Sequence, residues 1–126
     1  MPSDALGILL ISGTHDRAHY AFVLASGAAA IGRNVVIFAT NRGCLALASD
    51  WSALDGSDRD SLIMSAGVAG LAELRDACIE LGVRTIACEA GLRAERIDPG
   101  TLLPGVEIAG IVTFLNAVGA GQIATL

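Results

Sequence analysis

The sequence predicts a single α/β domain built on a parallel, helix-covered sheet. Three observations carry that prediction. The aliphatic runs are short and continuous rather than alternating, as in strands buried on both faces. Helical patterns separate them, which is the order that winds strands in parallel. The composition, 53% hydrophobic with only five aromatic residues, is dominated by Ala, Leu, Ile and Val and suits close packing of helices on a sheet. At 126 residues the chain is long enough to close one core and too short for two.

Gly7 to Ile11 reads as the first strand, ending in the turn Ser12-Gly13-Thr14. From His15 to Ile31 the pattern is helical, with Asp16 placed to suit the positive N-terminal end and Gly32 as the stop. Apolar almost all round, this helix is expected to pack on two sides. Val35 to Phe38 is the second strand, closing a βαβ unit with a right-handed crossover. Gly43 to Ala48 reads as a short helix, and Trp51 as the anchor of a loop. Asp50, Asp55, Asp58 and Asp60 read as a solvated excursion, followed by a short strand at Leu62-Ile63-Met64. Leu71, Leu74, Cys78 and Leu81 share one helical face, stopped by Gly82. Val83 to Ala87 is a further strand, ending at Cys88. A short helix follows at Gly91 to Arg96, then a turn at Pro104-Gly105. Ile111, Leu115 and Val118 mark a last helix ending at Gly119, and Ile123 to Leu126 a last strand.

Charge narrows the function. The net charge is −5 and all eight basic residues are arginines. An acidic chain without a basic run is a poor partner for nucleic acid or an anionic membrane surface. Without lysine there is neither Schiff-base chemistry nor a phosphate-binding P-loop. Met1-Pro2-Ser3-Asp4 carries an acid where a secretory signal carries positive charge, and the apolar stretch from Ala18 to Gly32 is too short to span a bilayer. Three cysteines, an odd number, point to free thiols in a reducing compartment, hence a cytoplasmic protein.

In a parallel sheet, reactive groups collect beyond the carboxyl ends of the strands. Ser12 to Arg17, Thr40 to Cys44 and Cys88 to Arg93 are expected to meet there. Cys88 follows a buried strand and precedes a helix, so a helix N-terminus and the nearby Arg93 or Arg96 favour its thiolate, the nucleophilic form. The plainer reading is a small buried hydrophobe at a strand end. Cys44 is either a second thiol of the same edge or a packing residue, and Cys78 falls in line with the core leucines. Ser12, Gly13, Thr14 and His15 link a strand to a helix start, where backbone N–H groups can hold an anion; otherwise they form an ordinary turn and cap. His15 is also in a position to orient a thiol. His15 and His19 lie one turn apart but lack an evident third metal ligand.

Beyond these local readings, the chain resembles the DsrE/DsrF-like family of small sulfur-relay proteins. The likeness is carried by Ile8 to Gly13, by His19-Tyr20-Ala21 with Leu24-Ala25-Ser26, and by Gly32 to Phe38. It continues through Leu71 to Glu89 and Gly105 to Leu115. The resemblance implies a flavodoxin-like three-layer fold and a homo-oligomer, often a trimer or hexamer. It implies that Cys88 accepts sulfane sulfur as a persulfide and passes it to a partner protein, with Cys44 at a position where some relatives also have a cysteine. The activity expected is that of a sulfur carrier or sulfurtransferase, served by donor and acceptor proteins, with no metal or organic cofactor. Two alternatives stay open: a binding module for a small anion or nucleotide on the Ser12 to Asp16 loop, and a redox sensor pairing Cys44 with Cys88.

Overall fold

A computed structural model describes residues 4–126; the acid-for-base reading of the first residues falls largely on Met1 to Ser3, outside the described ones. Among the described residues there are five parallel strands: β1 (Leu6–Leu10), β2 (Val35–Ala39), β3 (Arg84–Cys88), β4 (Glu107–Ala109) and β5 (Gln122–Thr125). They lie side by side in the order β4-β3-β2-β1-β5. The helices are α1 (His15–Ala30), α2 (Arg59–Ser65), α3 (Leu71–Glu80), α4 (Glu89–Ala94) and α5 (Ile111–Val118). Asn41–Leu47 forms a 3-10 helix after β2. This is the three-layer α/β architecture expected.

Strand alternation divides the apolar side chains between two cores. On one face Leu6, Ile8, Leu10, Val35 and Ile37 pack under α1, α3 and the 3-10 helix. The alanines of α1, Ala18, Ala21 and Ala25, are wholly buried and let that helix lie close to the sheet. Its second packing partner is α3, so the two-sided burial anticipated for α1 is met by the sheet and by a neighbouring helix. The opposite face holds a smaller core of Val36, Phe38, Ile86 and Cys88 under Phe114 and Val118 of α5. Phe38 and Phe114 stack with ring centroids 5.1 Å apart. Gly7 is what lets α5 settle here, because a Cβ at that position would come within 2.8 Å of the Phe114 ring.

Helix stops follow the glycines. Gly32 and Gly82 both take positive φ, 92° and 79°, just beyond α1 and α3, a conformation that glycine adopts without a Cβ penalty.

Three expectations need correction. Leu62-Ile63-Met64 is not a strand but the middle of α2, with Leu62 and Met64 exposed. A three-residue apolar run cannot separate strand from helix by period. Asp60, read as part of a solvated loop, is buried on the same helix. Finally, β4 was not anticipated: it is a three-residue edge strand after the Pro104-Gly105 turn, with Glu107 and Ile108 exposed. A strand so short and so little buried leaves almost no hydrophobic pattern to read.

Candidate active site at the carboxyl edge of the sheet

The carboxyl ends of β1, β2 and β3 meet as expected. The N–H of Gly43 donates to the carbonyl of Ile11 at 3.0 Å, tying the loop after β2 to the end of β1. Gly91, in the first turn of α4, lies against Thr40 so closely that a Cβ would stand 2.5 Å from Oγ1 of Thr40. Asn41 turns this corner in the left-handed region, φ 53°, which asparagine tolerates better than most side chains.

Cys88 is both the last residue of β3 and the cap residue of α4. The helix starts at Glu89, two residues earlier than the sequence suggested, and this places the thiol directly at its N-terminal end. Sγ accepts the N–H of Gly91 at 3.3 Å. The residue keeps 9% of its surface exposed.

Arg93 does not reach the sulfur directly. Its guanidinium donates to the Glu89 carboxylate at 2.9 Å, one helical turn away, and both side chains are largely exposed.

Cys44 is wholly buried. Its thiol donates to the Ala39 carbonyl at 3.4 Å. Burial pushes this thiol up to about 11, outweighing a hydrogen bond from the backbone of Cys88. Cys44 belongs to the large core and Cys88 to the small one, although the Cys88 backbone reaches the Cys44 thiol at this edge. Cys78 is a core residue, as its periodicity indicated; burial raises its thiol to about 11 as well, and it donates to the Phe22 carbonyl at 3.6 Å.

The Ser12 to His15 turn is occupied by its own partners. Ser12 and Thr14 share a hydroxyl hydrogen bond of 2.9 Å, and the Thr14 hydroxyl donates to Asp16 at 2.6 Å. That bond is the main reason the Asp16 carboxyl lies below its ordinary value. Gly13 is held against the Arg42 side chain, where a Cβ would come within 2.6 Å of the Arg42 Cβ. Arg42 in turn pairs with Asp55 at 3.3 Å. The helix start is thus already lined by two carboxylates of the chain itself.

His15 is spent elsewhere too. Wholly buried, it faces Asp60 at 2.8 Å through Nε2 and Arg59 at 3.4 Å through Nδ1. Because arginine only donates, Nδ1 accepts and Nε2 carries the proton given to Asp60. Neither ring nitrogen is left for a thiol, which overturns that expectation. His19 stacks on His15 with centroids 5.7 Å apart and bonds the Ala69 carbonyl through Nε2. Trp51 lies 5.8 Å from His15 and anchors its loop there. Asp60 also accepts the N–H of Leu71 at 2.9 Å, so this carboxylate joins α1, α2 and α3. No sequence signal pairs residues so far apart. The Gly91 amide was likewise missed, although a glycine three residues after a strand-end cysteine was the visible clue.

Residues 3–58 match the DsrE/DsrF/DrsH-like family. The chain is 29% identical over 155 aligned positions to the sulfur carrier protein DsrE2 of Allochromatium vinosum, covering 98% of each. Among solved structures, the ychN protein of E. coli superimposes with a TM-score of 0.67 at 14% identity over the whole of both chains. MTH1491 of Methanobacterium thermoautotrophicum, a protein of unknown function, gives 0.57 at 17% identity, covering 97% of this chain and 98% of that one. Those two likenesses concern the fold alone. The family match over residues 3–58 and the relative aligned end to end make the chain similar to the DsrE/DsrF-like family.

Proposed function

We propose that this protein carries sulfane sulfur on Cys88. The observation that supports the reading best is the Gly91 N–H on Sγ of Cys88, at the start of α4 and at the open edge of the sheet. The other two cysteines are buried thiols with raised pKa, poor nucleophiles at neutral pH. In the loading step the Cys88 thiolate attacks the outer sulfur of a donor persulfide. The S–S bond of the donor breaks, the donor leaves as a thiolate, and Cys88 becomes a persulfide. In unloading, an acceptor thiolate attacks that outer sulfur and Cys88 leaves as the thiolate, so no electrons are gained or lost overall. Cys44 supports the loop that carries the edge rather than taking sulfur itself. The partners are a donor and an acceptor protein, as the name of the Allochromatium vinosum relative suggests. The cytoplasm is the compartment in which such exchange runs with free thiols.

Assembly with further copies of the chain belongs to the same reading. Ile111, Val112 and Leu115 lie exposed along the outer side of α5, an apolar stripe suited to a matching stripe on another subunit. A trimer or hexamer built on it would bring several Cys88 edges into one particle.

The test is intact-protein mass spectrometry after treatment with a persulfide donor and desalting. A reducible gain of about 32 mass units per sulfur is expected in the wild type and absent in Cys88→Ser. No gain in the wild type, with the thiol intact, would overturn the carrier function.

A further inference from the structure

Away from the cysteines, the loop ahead of α2 carries a chemically labile joint. Asp55-Gly56 is the one place in the sequence where an aspartate precedes a glycine. Both residues are exposed. The main chain of Asp55 is clamped: its N–H donates to the Gly13 carbonyl at 2.9 Å, and its carbonyl accepts the His15 N–H at 2.8 Å. The clamp ends there. The Gly56 N–H takes part in no hydrogen bond among the described residues. Gly56 has a φ of 74°, and a Cβ on it would stand in open space. The Asp55 carboxylate is held on one side only, where Nη2 of Arg42 donates to Oδ1 at 3.3 Å, and both side chains of that pair are well exposed.

These features are the requirements of one reaction. A backbone nitrogen closes on the carboxyl carbon of the preceding aspartate when three conditions are met. The N–H is free of other hydrogen bonds, no side chain crowds it, and the carboxyl group is free to turn. Glycine meets the second condition by lacking a Cβ. Every other aspartate is followed by a residue with a side chain, and Asp98 is followed by Pro99, which has no N–H at all. Exposed loop tips of small and polar residues are also where a chain tolerates covalent change.

We propose that Asp55 is a site of spontaneous isoaspartate formation in the folded protein. The Gly56 nitrogen attacks Cγ of Asp55, one carboxyl oxygen leaves as water with the nitrogen's proton, and a succinimide ring closes. Water then opens the ring. Opening at Cγ restores Asp55, whereas opening at the main-chain carbonyl leaves the chain running through Cβ and Cγ and turns that carbonyl into a carboxylate. No electrons are gained or lost, and the water released is the water regained. The charge thereby moves from the side facing Arg42 to the side facing the His15 N–H, at the start of α1. The lengthened main chain breaks the bridge between Thr14 and Asp55 and frees Arg42, which otherwise lies against Gly13. The site is separate from Cys88, so it stands or falls independently of sulfur transfer.

Ageing of the folded wild-type protein at neutral pH tests this directly, read by an endoprotease that cuts before aspartate and by methyl transfer from an isoaspartyl methyltransferase. The expected results are a progressive loss of cleavage before Asp55 and methyl incorporation that rises in step. A transient form of the same peptide, lighter by one water, marks the succinimide. Asp55→Glu keeps a carboxylate for Arg42 but has to close a larger and slower ring, so its peptide is expected to take up no methyl groups. Undiminished cleavage before Asp55 after ageing in the folded state, with isoaspartate formed only in denaturant, would overturn the proposal. So would equal methylation of the Asp55→Glu peptide.

Discussion

The N–H of Gly91 points at Sγ of Cys88 across 3.3 Å, and Gly91 stands there because it has no side chain. A Cβ would press on Thr40, whose Oγ1 would lie 2.5 Å away. The hydrogen bond on the thiol therefore depends on the loop after β2 as much as on α4. Gly91→Ala is expected to push α4 off that loop and lengthen the bond to sulfur. Alkylation of Cys88 by iodoacetamide should slow at neutral pH, and urea unfolding should show a loss of about 1–3 kcal/mol. Unchanged alkylation with reduced stability would separate the helix position from the thiol's reactivity.

The three thiols should be sharply ranked in the native protein. Cys44 and Cys78 ionise only near 11, against the ordinary thiol range of about 8.5–9 in an unfolded chain. Below that range both states keep their protons and the stability is full. As pH rises from about 9 towards 11 the unfolded chain releases protons that the folded chain retains, so stability falls. Each thiol accounts for roughly 2 kcal/mol over the window. Urea unfolding at about pH 8 and about pH 10.5 should show the decline, and Cys44→Ala with Cys78→Ala should flatten it. Native alkylation at neutral pH should mark Cys88 alone.

Asp60 bonds two buried donors, Nε2 of His15 and the N–H of Leu71. Asp60→Ala leaves both without an acceptor and is expected to lower stability by about 2–4 kcal/mol. Asp60→Asn retains one acceptor oxygen and should lose less. Denaturant unfolding of the two variants checks the order.

The outer stripe of α5 should govern assembly. Val112→Glu and Leu115→Glu place charge where two copies would meet, while Phe114 and Val118 on the inner side stay packed. Sedimentation analysis is expected to show smaller particles for both variants with unchanged circular dichroism. Particles of unaltered size would rule out this face as the interface.

What the sequence disclosed follows from where its signals come from. The continuous runs of β1, β2 and β3 and the glycines after α1 and α3 announce themselves locally, and so does the strand-end position of Cys88. Asp60 was misread because its burial depends on His15, 45 residues earlier, and nothing in an acidic stretch distinguishes the one carboxylate that finds a partner. The same holds for Arg75, whose carbonyl partners come from a 3-10 helix nearly thirty residues before it. The exposed edge strand β4 has too few buried positions to leave a pattern. Local chemistry was legible, then, and long-range polar pairing was not.

The strand order has a consequence for the making of the chain. β1 pairs with β2 on one side, but its other side is completed by β5, so that Leu6 to Leu9 meet Gln122 to Thr125. Strands one to three can zip together as they leave the ribosome, because their partners lie close in sequence. The far side of β1 has to wait until the segments between it and β5 have been synthesised. During that interval its open N–H and C=O groups offer a template to any passing strand. The closing contact joins residues more than a hundred positions apart, which favours slow completion and makes β5 the latch over that edge of β1.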